Sequence, residues 1–340
     1  MHAGDEGNGG RRPPRVRRMV TVALALALIL GWSSAGDAQK RRIAMGCSQT
    51  TSSHYAYCVG QAKAINTLAP SLDVTVVETG GTVDNLRRMV KSQVDYGLVA
   101  TGPVYLAWKG LEYFEASPIA DARNLWYYTL SAQYFAVRAD SGVKTPADLT
   151  GKKFNPGLRG SATVKETETI LSILGIKPEI ARGGTSDMVQ AIQDNHIVGY
   201  AKTATGFQLD ASTMDISVQT PIRVLAFSEE QVKRVKAQAP HIAWVKVPAG
   251  AITGMGSFWT PGVVVGFATL KSMPNDVAYQ IVKAVMEGQQ YQRVAFKGMV
   301  DDMITLTLEQ ALSPLHAGAI RYYREKGAKI PDNLIPPEEK

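Results

Sequence analysis

Apolar residues in the first hundred positions follow two spacings, one typical of helices and one typical of strands. The helical interval of three or four residues occurs at Tyr55, Val59, Ala62, Ile65 and Leu68. A second helical pattern covers residues 83–90, and runs of β-branched or apolar residues predict strands at 42–45, 74–77 and 95–100. Strand, loop and helix repeat in this order, which predicts an α/β domain with a mostly parallel sheet.

The same pattern begins again near residue 142. Further strands are predicted at residues 134–138, 153–155, 198–202 and 263–265, and further helices at 162–174, 186–193, 278–290 and 309–326. We expect two lobes, with lobe 1 formed by residues 39–138 plus 263–340 and lobe 2 by residues 139–262. Ligands of open α/β sheets bind outside the carboxyl ends of the strands, so two facing lobes create a ligand cleft.

The first 38 residues have the pattern of a cleavable signal peptide. Five arginines precede an apolar run at residues 19–30, and small residues continue to Ala38. A membrane anchor is the alternative, but it needs about 20 apolar residues, more than this run contains. We therefore predict a secreted, periplasmic protein. Cleavage removes five arginines and three acidic residues, so the formal net charge falls from +7 to +5.

The composition is that of an ordinary globular protein, with 340 residues, 45% of them hydrophobic and 20% charged. The mild positive charge forms no basic stripe, which argues against nucleic-acid binding. The two cysteines, Cys47 and Cys58, form a disulfide or remain buried thiols, and the sequence leaves both alternatives open.

Motifs of the common enzyme classes are absent from the sequence. It contains no Gly-x-Ser-x-Gly elbow, no phosphate-binding loop and no dinucleotide fingerprint. The five histidines are scattered without metal-ligand spacing. We therefore expect a binding protein rather than an enzyme, with no cofactor and no metal.

The loop after the first predicted strand is rich in hydroxyl groups. Its candidate ligand-binding residues are Ser48, Thr50, Thr51, Ser52, Ser53 and Tyr55. One hydroxyl is enough to cap the following helix, so a cluster indicates a binding loop, with plain helix capping as the alternative.

The loop after the second strand contains paired glycines just before a helix. Its candidates are Gly80, Gly81, Thr82 and Asn85. Glycines allow backbone N–H groups to turn toward a ligand, and the start of a helix favours an anion. A simple turn is the alternative.

A third loop, residues 156–163, again joins a strand to the start of a helix. Its candidates are Arg159, Gly160, Ser161, Ala162 and Thr163. Arginine is suited to bidentate recognition of a carboxylate, although a solvated arginine is the alternative.

Other candidates are placed by predicted strands or by aromatic character. Lys202 and Thr203 end one strand, and Thr101 follows another. Trp126 begins an aromatic cluster that either lines the site or packs in the core.

Four segments, in this order, resemble the TAXI family of solute receptors, which serve tripartite ATP-independent periplasmic (TRAP) transporters. They are residues 52–57, residues 74–89 (VTVVETGGTVDNLRRM), residues 137–163 and residues 315–327 (LHAGAIRYYREKG). The resemblance covers nearly all of the chain that follows the predicted signal peptide.

The resemblance implies a type II periplasmic binding protein fold that closes on its ligand, and a TRAP-type membrane permease as partner. It implies a small carboxylate solute, such as glutamate, glutamine or 2-oxoglutarate. We expect the receptor to be a monomer. It also implies ligand contacts by Gly157 and Gly160 to Thr163, and by residues 79–82 with Asn85. Residues 49–54 depart from the glycine-rich stretch that is usual in the family, so the identity of the solute stays open. A ligand-sensing module for a signalling partner, or an enzyme on the same scaffold, are the alternative functions.

Overall fold

The computed structural model of this chain describes residues 1, 4–7 and 40–340. The predicted signal peptide lies outside these residues, except for positions 1 and 4–7. Residues 41–340 form one compact unit. Within the described part of the chain, no helix has both the length and the apolar character needed to cross a bilayer.

The unit alternates strands and helices along most of its length. The strands are β1 (Arg41–Gly46), β2 (Leu72–Val77), β3 (Tyr96–Ala100), β4 (Ala122–Arg138), β5 (Lys153–Asn155), β6 (Glu179–Ile180), β7 (Gly199–Thr203), β8 (Ile222–Val224), β9 (Ala243–Val247) and β10 (Phe258–Leu270). The helices are α1 (Ser53–Leu68), α2 (Thr82–Val90), α3 (Thr101–Lys109), α4 (Ala162–Leu174), α5 (Thr185–Gln193), α6 (Ala211–Gln219), α7 (Glu229–Gln238), α8 (Asn275–Glu287), α9 (Gln289–Arg293), α10 (Met303–Gln310) and α11 (Ala317–Glu325).

The strands follow one path, in the order β2-β1-β3-β10-β4-β7-β5-β6, with β8 beside β4 and β9 beside β10. Pairing is parallel within β1, β2 and β3 and again within β5, β6 and β7. The long strands β4 and β10 run antiparallel to their neighbours between these two sets. We call the part built on β1, β2 and β3 lobe 1, and the part built on β5, β6 and β7 lobe 2. The predicted residue bounds of the lobes stay a prediction.

Each lobe has its own apolar core. The core of lobe 1 contains Trp126, Tyr127, Tyr128 and Phe267. That of lobe 2 contains Phe135, Phe154 and Ile170 among its residues. β4 contributes to both cores, because its first ten residues pair with β10 and its later ones with β7. The two lobes are therefore joined by continuous strands, and this connection positions their loops face to face.

Most predicted elements are present, and two differ instructively. The bounds of β5 and α4 agree with the sequence pattern. β4 is far longer than the predicted strand at residues 134–138. It is buried along almost its whole length, so its sequence lacks the alternation of apolar and polar residues that would have revealed the full strand. The single helix predicted at residues 309–326 is wrong: α10 ends at Gln310 and α11 begins at Ala317. Pro314 lies between them and cannot continue a helix.

Candidate functional site

A small cleft lies where the loops of the two lobes meet. Its volume is about 70 Å³. Lobe 1 lines it with Ser48, Ser52, His54, Gly80, Gly81, Thr82, Leu98 and Ala100. Lobe 2 and β10 contribute Leu158, Ser161, Ala162, Thr163, Ala201, Lys202, Thr203, Val263 and Val265. The carboxyl ends of β1, β2, β3 and β7 and the start of α4 therefore face one volume, as expected for an α/β ligand site.

The cleft brings together ten of the nineteen residues predicted from the sequence. They are Ser48, Ser52, Gly80, Gly81, Thr82, Ser161, Ala162, Thr163, Lys202 and Thr203. Two of them also cap helices: Ser52 accepts a hydrogen bond from the N–H of His54, and Ser161 accepts one from the N–H of Val164. Capping and cleft lining are thus compatible roles for the same hydroxyl group.

The start of α4 presents backbone N–H groups at the cleft. Ala162 and Thr163 are its first helical residues, and their N–H groups have no acceptor within the helix. The Thr163 and Thr203 hydroxyl oxygens lie 2.9 Å apart beside it. This arrangement offers several hydrogen-bond donors to an acceptor on a ligand.

The sequence predicts that the start of α2 binds an anion, but in the structure a backbone carbonyl group occupies this position. The carbonyl oxygen of Gly160 accepts hydrogen bonds from the N–H groups of Val83, at 2.9 Å, and Asp84, at 3.1 Å. The Gly80 N–H is taken by the Asp84 carboxylate at 2.9 Å. A backbone oxygen of lobe 2 therefore occupies this helix end, and the glycine loop serves as a contact between lobes.

Further hydrogen bonds join the lobes at the start of α1. The Ser53 N–H donates to the Asp210 carboxylate at 3.0 Å, and the Ser53 hydroxyl oxygen accepts from the Ala211 N–H at 3.0 Å. The side-chain oxygen of Gln49 accepts from the N–H of Thr185. Together with the Gly160 contact, these bonds hold the cleft in a closed arrangement.

One buried ion pair borders the cleft. Lys202 Nζ lies 3.6 Å from Asp210 Oδ1. Burial opposes ionisation of Asp210, but Lys202 and the hydrogen bonds from Ser212 and Ser53 outweigh it and lower the pKa of the carboxyl. Asp210 is therefore ionised beside the Lys202 amine.

His54 also lines the cleft, and our sequence interpretation did not include it among the ligand-binding residues. Its Nδ1 lies 2.5 Å from the hydroxyl oxygen of Tyr128, and its ring stacks on Phe296 with centroids 5.0 Å apart. Burial lowers the pKa of His54 to about 4, so the ring is neutral at pH 7. A single histidine belongs to no spaced motif that would mark it as a ligand-binding residue. Only its position next to the hydroxyl-rich segment of the sequence indicated such a role.

Several other predicted residues lie in the core or support the loops. Asn85 is buried and donates to the carbonyl oxygens of Cys47 and Leu98, at 2.8 Å each. Trp126 is buried against Phe267. Thr101 is buried at the start of α3 and Tyr55 packs against the lobe 1 core, and neither lines the cleft.

The remaining candidates face solvent or an outer groove. Thr50 and Thr51 are exposed, and Ser53 bridges the lobes as described above. Arg159 is exposed and lines a groove of about 770 Å³ outside the cleft, with Arg87, Lys165 and Arg182. Lys165 and Arg182 both pair there with Glu168. This groove is larger than the cleft, but its charged groups are in contact with water, where an ion pair with a ligand adds little binding free energy.

A disulfide joins the cleft loop to the first helix. Cys47 and Cys58 are bridged, with their Cα atoms 6.4 Å apart. Both residues are fully buried, and the bridge ties the loop that carries Ser48 and Ser52 to α1, which carries His54. The bridge resolves the alternative that the sequence left open.

Comparison with known proteins extends this picture. The model of the NMT1-like family matches residues 45–327. A solved structure from Bordetella bronchiseptica RB50 has 14% sequence identity and a TM-score of 0.56, and the match covers 85% of this chain and 99% of that one. A protein of Listeria monocytogenes assigned to L-cystine ABC transport has 12% identity and a TM-score of 0.50, covering 77% and 98%. These matches confirm the α/β periplasmic binding protein fold with two lobes.

Proposed function

This chain belongs to the NMT1-like family of the periplasmic solute-binding protein superfamily, and from that premise we propose that it is a periplasmic receptor for a small carboxylate. The observation that carries the proposal is the cleft, which both lobes line with buried polar groups. In this role the protein binds its solute without chemical change. Contacts from both lobes favour the closed state, so binding shifts the population toward it.

The donors of the cleft support an anionic solute. The first N–H groups of α4, the hydroxyls of Thr163 and Thr203, and the ammonium of Lys202 all border the same volume. Hydrogen bonds to a charged group are the stronger ones, about 1.5–3 kcal/mol each. A carboxylate at the start of α4 would satisfy these donors together.

The acceptors favour an organic acid over an amino acid. Asp210 is a buried carboxylate beside the cleft residue Lys202, and both of its oxygens accept hydrogen bonds. Oδ2 accepts from Ser53, while Oδ1 accepts from the N–H and the hydroxyl of Ser212 at 3.1 and 2.6 Å and lies near Lys202. These contacts use most of the acceptor capacity of Asp210 and leave one lone pair of Oδ2 at most for the ammonium of an amino acid.

The volume of the cleft sets the size of the solute. A cavity of about 70 Å³ holds a solute of a few heavy atoms. Glutamate or 2-oxoglutarate would require the lobes to stand further apart than they do here. The closed arrangement thus favours a carboxylate smaller than these, such as acetate.

We further propose that a TRAP-type permease receives the solute. The resemblance of residues 74–89 and 315–327 to TAXI receptors supports this partner. The buried disulfide supports an oxidising location such as the periplasm, since such bonds are rare in the cytosol. Uptake of a labelled solute by cells that contain the permease, with and without this chain, tests the delivery step.

The solute proposal is tested by thermal shift on the purified chain from residue 39 onward. We expect acetate or another small carboxylate to raise the melting temperature, because a ligand selective for the folded state stabilises it. Lys202→Gln should weaken that binding about tenfold or more. Lys233→Gln, on the exposed side of α7, is the matched control and should bind normally. If no carboxylate shifts the melting temperature, or if both variants bind equally, the proposal is wrong.

A further inference from the structure

The imidazole of His54 contacts Tyr128 and Phe296, and the residue lines the cleft. Tyr128 contacts Nδ1, and the ring of Phe296 covers one face at 5.0 Å. The residue is only 6% exposed. Its Nε2 is buried and has no hydrogen-bond partner among the described residues. A buried polar atom without a partner is costly, so this nitrogen points to a missing ligand group.

The hydroxyl of Tyr128 determines which nitrogen of His54 carries the hydrogen. Burial raises the pKa of Tyr128 well above its usual value, so the phenol keeps its hydrogen. Within residues 40–340, the hydroxyl has one hydrogen-bond partner, which is Nδ1 of His54. If Nδ1–H donated instead, the phenol hydrogen would be buried without a partner, because Tyr128 does not line the cleft, whereas His54 does. The arrangement in which the phenol donates and Nδ1 accepts is therefore favoured. In a neutral imidazole the ring hydrogen then resides on Nε2.

A second polar atom of the same cleft supports a ligand at this place. Ser48 Oγ is also buried, and it also has no hydrogen-bond partner among the described residues. Ser48 lies in the loop after β1 and His54 in the first turn of α1, and both line the cleft from lobe 1. Two such atoms on one wall indicate a subsite built for a polar group of the solute.

We propose that His54 is a ligand-binding residue whose Nε2–H, fixed by Tyr128, donates a hydrogen bond to an oxygen of the solute. Tyr128 acts as a positioning residue. That this oxygen belongs to a carboxylate rests on the proposed function. The tautomer of His54 follows from its contact with Tyr128 and does not depend on the proposed function. A donor that cannot switch to an acceptor selects a carboxylate or keto oxygen at this position and disfavours an ammonium group.

The tautomer is measured directly by long-range ¹H–¹⁵N correlation spectra at pH 7, without any ligand. We expect His54 to show the Nε2–H pattern, assigned by its disappearance in the His54→Gln variant. Tyr128→Phe removes the phenol hydrogen and should shift the pattern toward a mixture of both tautomers. A protonated ring or an Nδ1–H tautomer in the wild-type chain would overturn the proposal.

Acetate titration tests whether the solute uses this donor. The amide nitrogen of glutamine reaches the position of Nε2, whereas that of asparagine reaches the position of Nδ1. We expect His54→Asn to weaken acetate binding about tenfold and His54→Gln to restore most of it. Equal affinities of the two variants, or an unmoved Nε2–H resonance at saturating acetate, would overturn the ligand-binding role. Failure of the wild-type chain to bind any carboxylate would instead contradict the proposed function and leave the tautomer result standing.

Discussion

Glu166 is the buried carboxyl that lies between the lobes outside the cleft. It belongs to α4 and is 7% exposed, and its Oε2 has no hydrogen-bond partner among the described residues. Its other oxygen lies near Gly102, at the start of α3 in lobe 1. Tyr113 and the pair formed by Glu112 and His241 lie on the same side. Burial raises the pKa of Glu166 to about 7.

Glu166→Gln should stabilise the protein at high pH and change little at low pH. Near pH 4 the carboxyl is protonated in both folded and unfolded chains. As the pH rises through 4.5 toward 7, only the unfolded chain ionises, so the wild-type protein loses up to about 3 kcal/mol of folding free energy. Glutamine avoids this loss. Urea denaturation at pH 5 and pH 8 measures the difference.

Glu115→Gln is the control for this experiment, because Glu115 is exposed. Its stability should follow that of the wild-type protein at both pH values. A Glu166→Gln variant that gains nothing between pH 5 and pH 8 would show that the carboxyl is hydrated in the folded chain.

Single residues were predictable where the loop around them was informative. Ser161 and Thr163 follow a strand and start a helix, and this local pattern indicated the cleft. The burial of Asn85 and Trp126 depends on partners distant in sequence, which no local pattern contains. His54 depends on Tyr128, which lies 74 positions away, for its orientation. Loop chemistry is thus readable from the sequence, whereas the choice between core and cleft is a tertiary outcome.

At the scale of elements, α4 was predicted well, whereas the helix predicted at residues 309–326 was wrong and the buried strands were found only in part. The predicted bounds of α4 agree with the structure, where Gly175 ends the helix in a left-handed conformation. β4 and β10 are buried on both faces, so a pattern search finds only fragments of them. The break between α10 and α11 is held by Asn124, which donates to the Ser313 carbonyl oxygen at 2.8 Å. β4 and β10 connect the two lobes. The connection between the lobes is therefore harder to predict from the sequence than the loops are.

Removal of the disulfide between the end of β1 and α1 should destabilise the protein. The bridge closes a loop with a sequence separation of 11, and chain entropy assigns about 3 kcal/mol to a loop of this size. The double variant Cys47→Ala and Cys58→Ala should lose about this much free energy of unfolding in urea. Reductant should destabilise the wild-type chain and leave the variant unchanged. Equal stability of the two proteins under oxidising conditions would contradict the prediction.

On the scale of the whole molecule, glycines permit the lobes to meet. A Cβ atom on Gly80 would lie 2.6 Å from the carbonyl oxygen of Arg159 in lobe 2, closer than atoms approach. The backbone of lobe 1 therefore approaches that of lobe 2 at a point where only glycine fits. Each lobe keeps its own core, so a substitution here affects closure rather than folding.

Gly80→Ala should weaken solute binding about tenfold while leaving the melting temperature without solute nearly unchanged. Small-angle scattering at saturating solute should give a larger radius of gyration than for the wild-type chain. Gly256→Ala is the matched control, because a Cβ there meets nothing within 4 Å. A Gly80→Ala variant that closes and binds as the wild-type chain does would show that the contact between lobes is not needed for binding.

The Gly160 carbonyl oxygen, which accepts hydrogen bonds from two N–H groups of α2, affects the rate of solute exchange. With the lobes joined there and at Ser53, a solute in so small a cleft must wait for these hydrogen bonds to break before it departs. A partner that separates the lobes would then decide when the solute is released, as well as where.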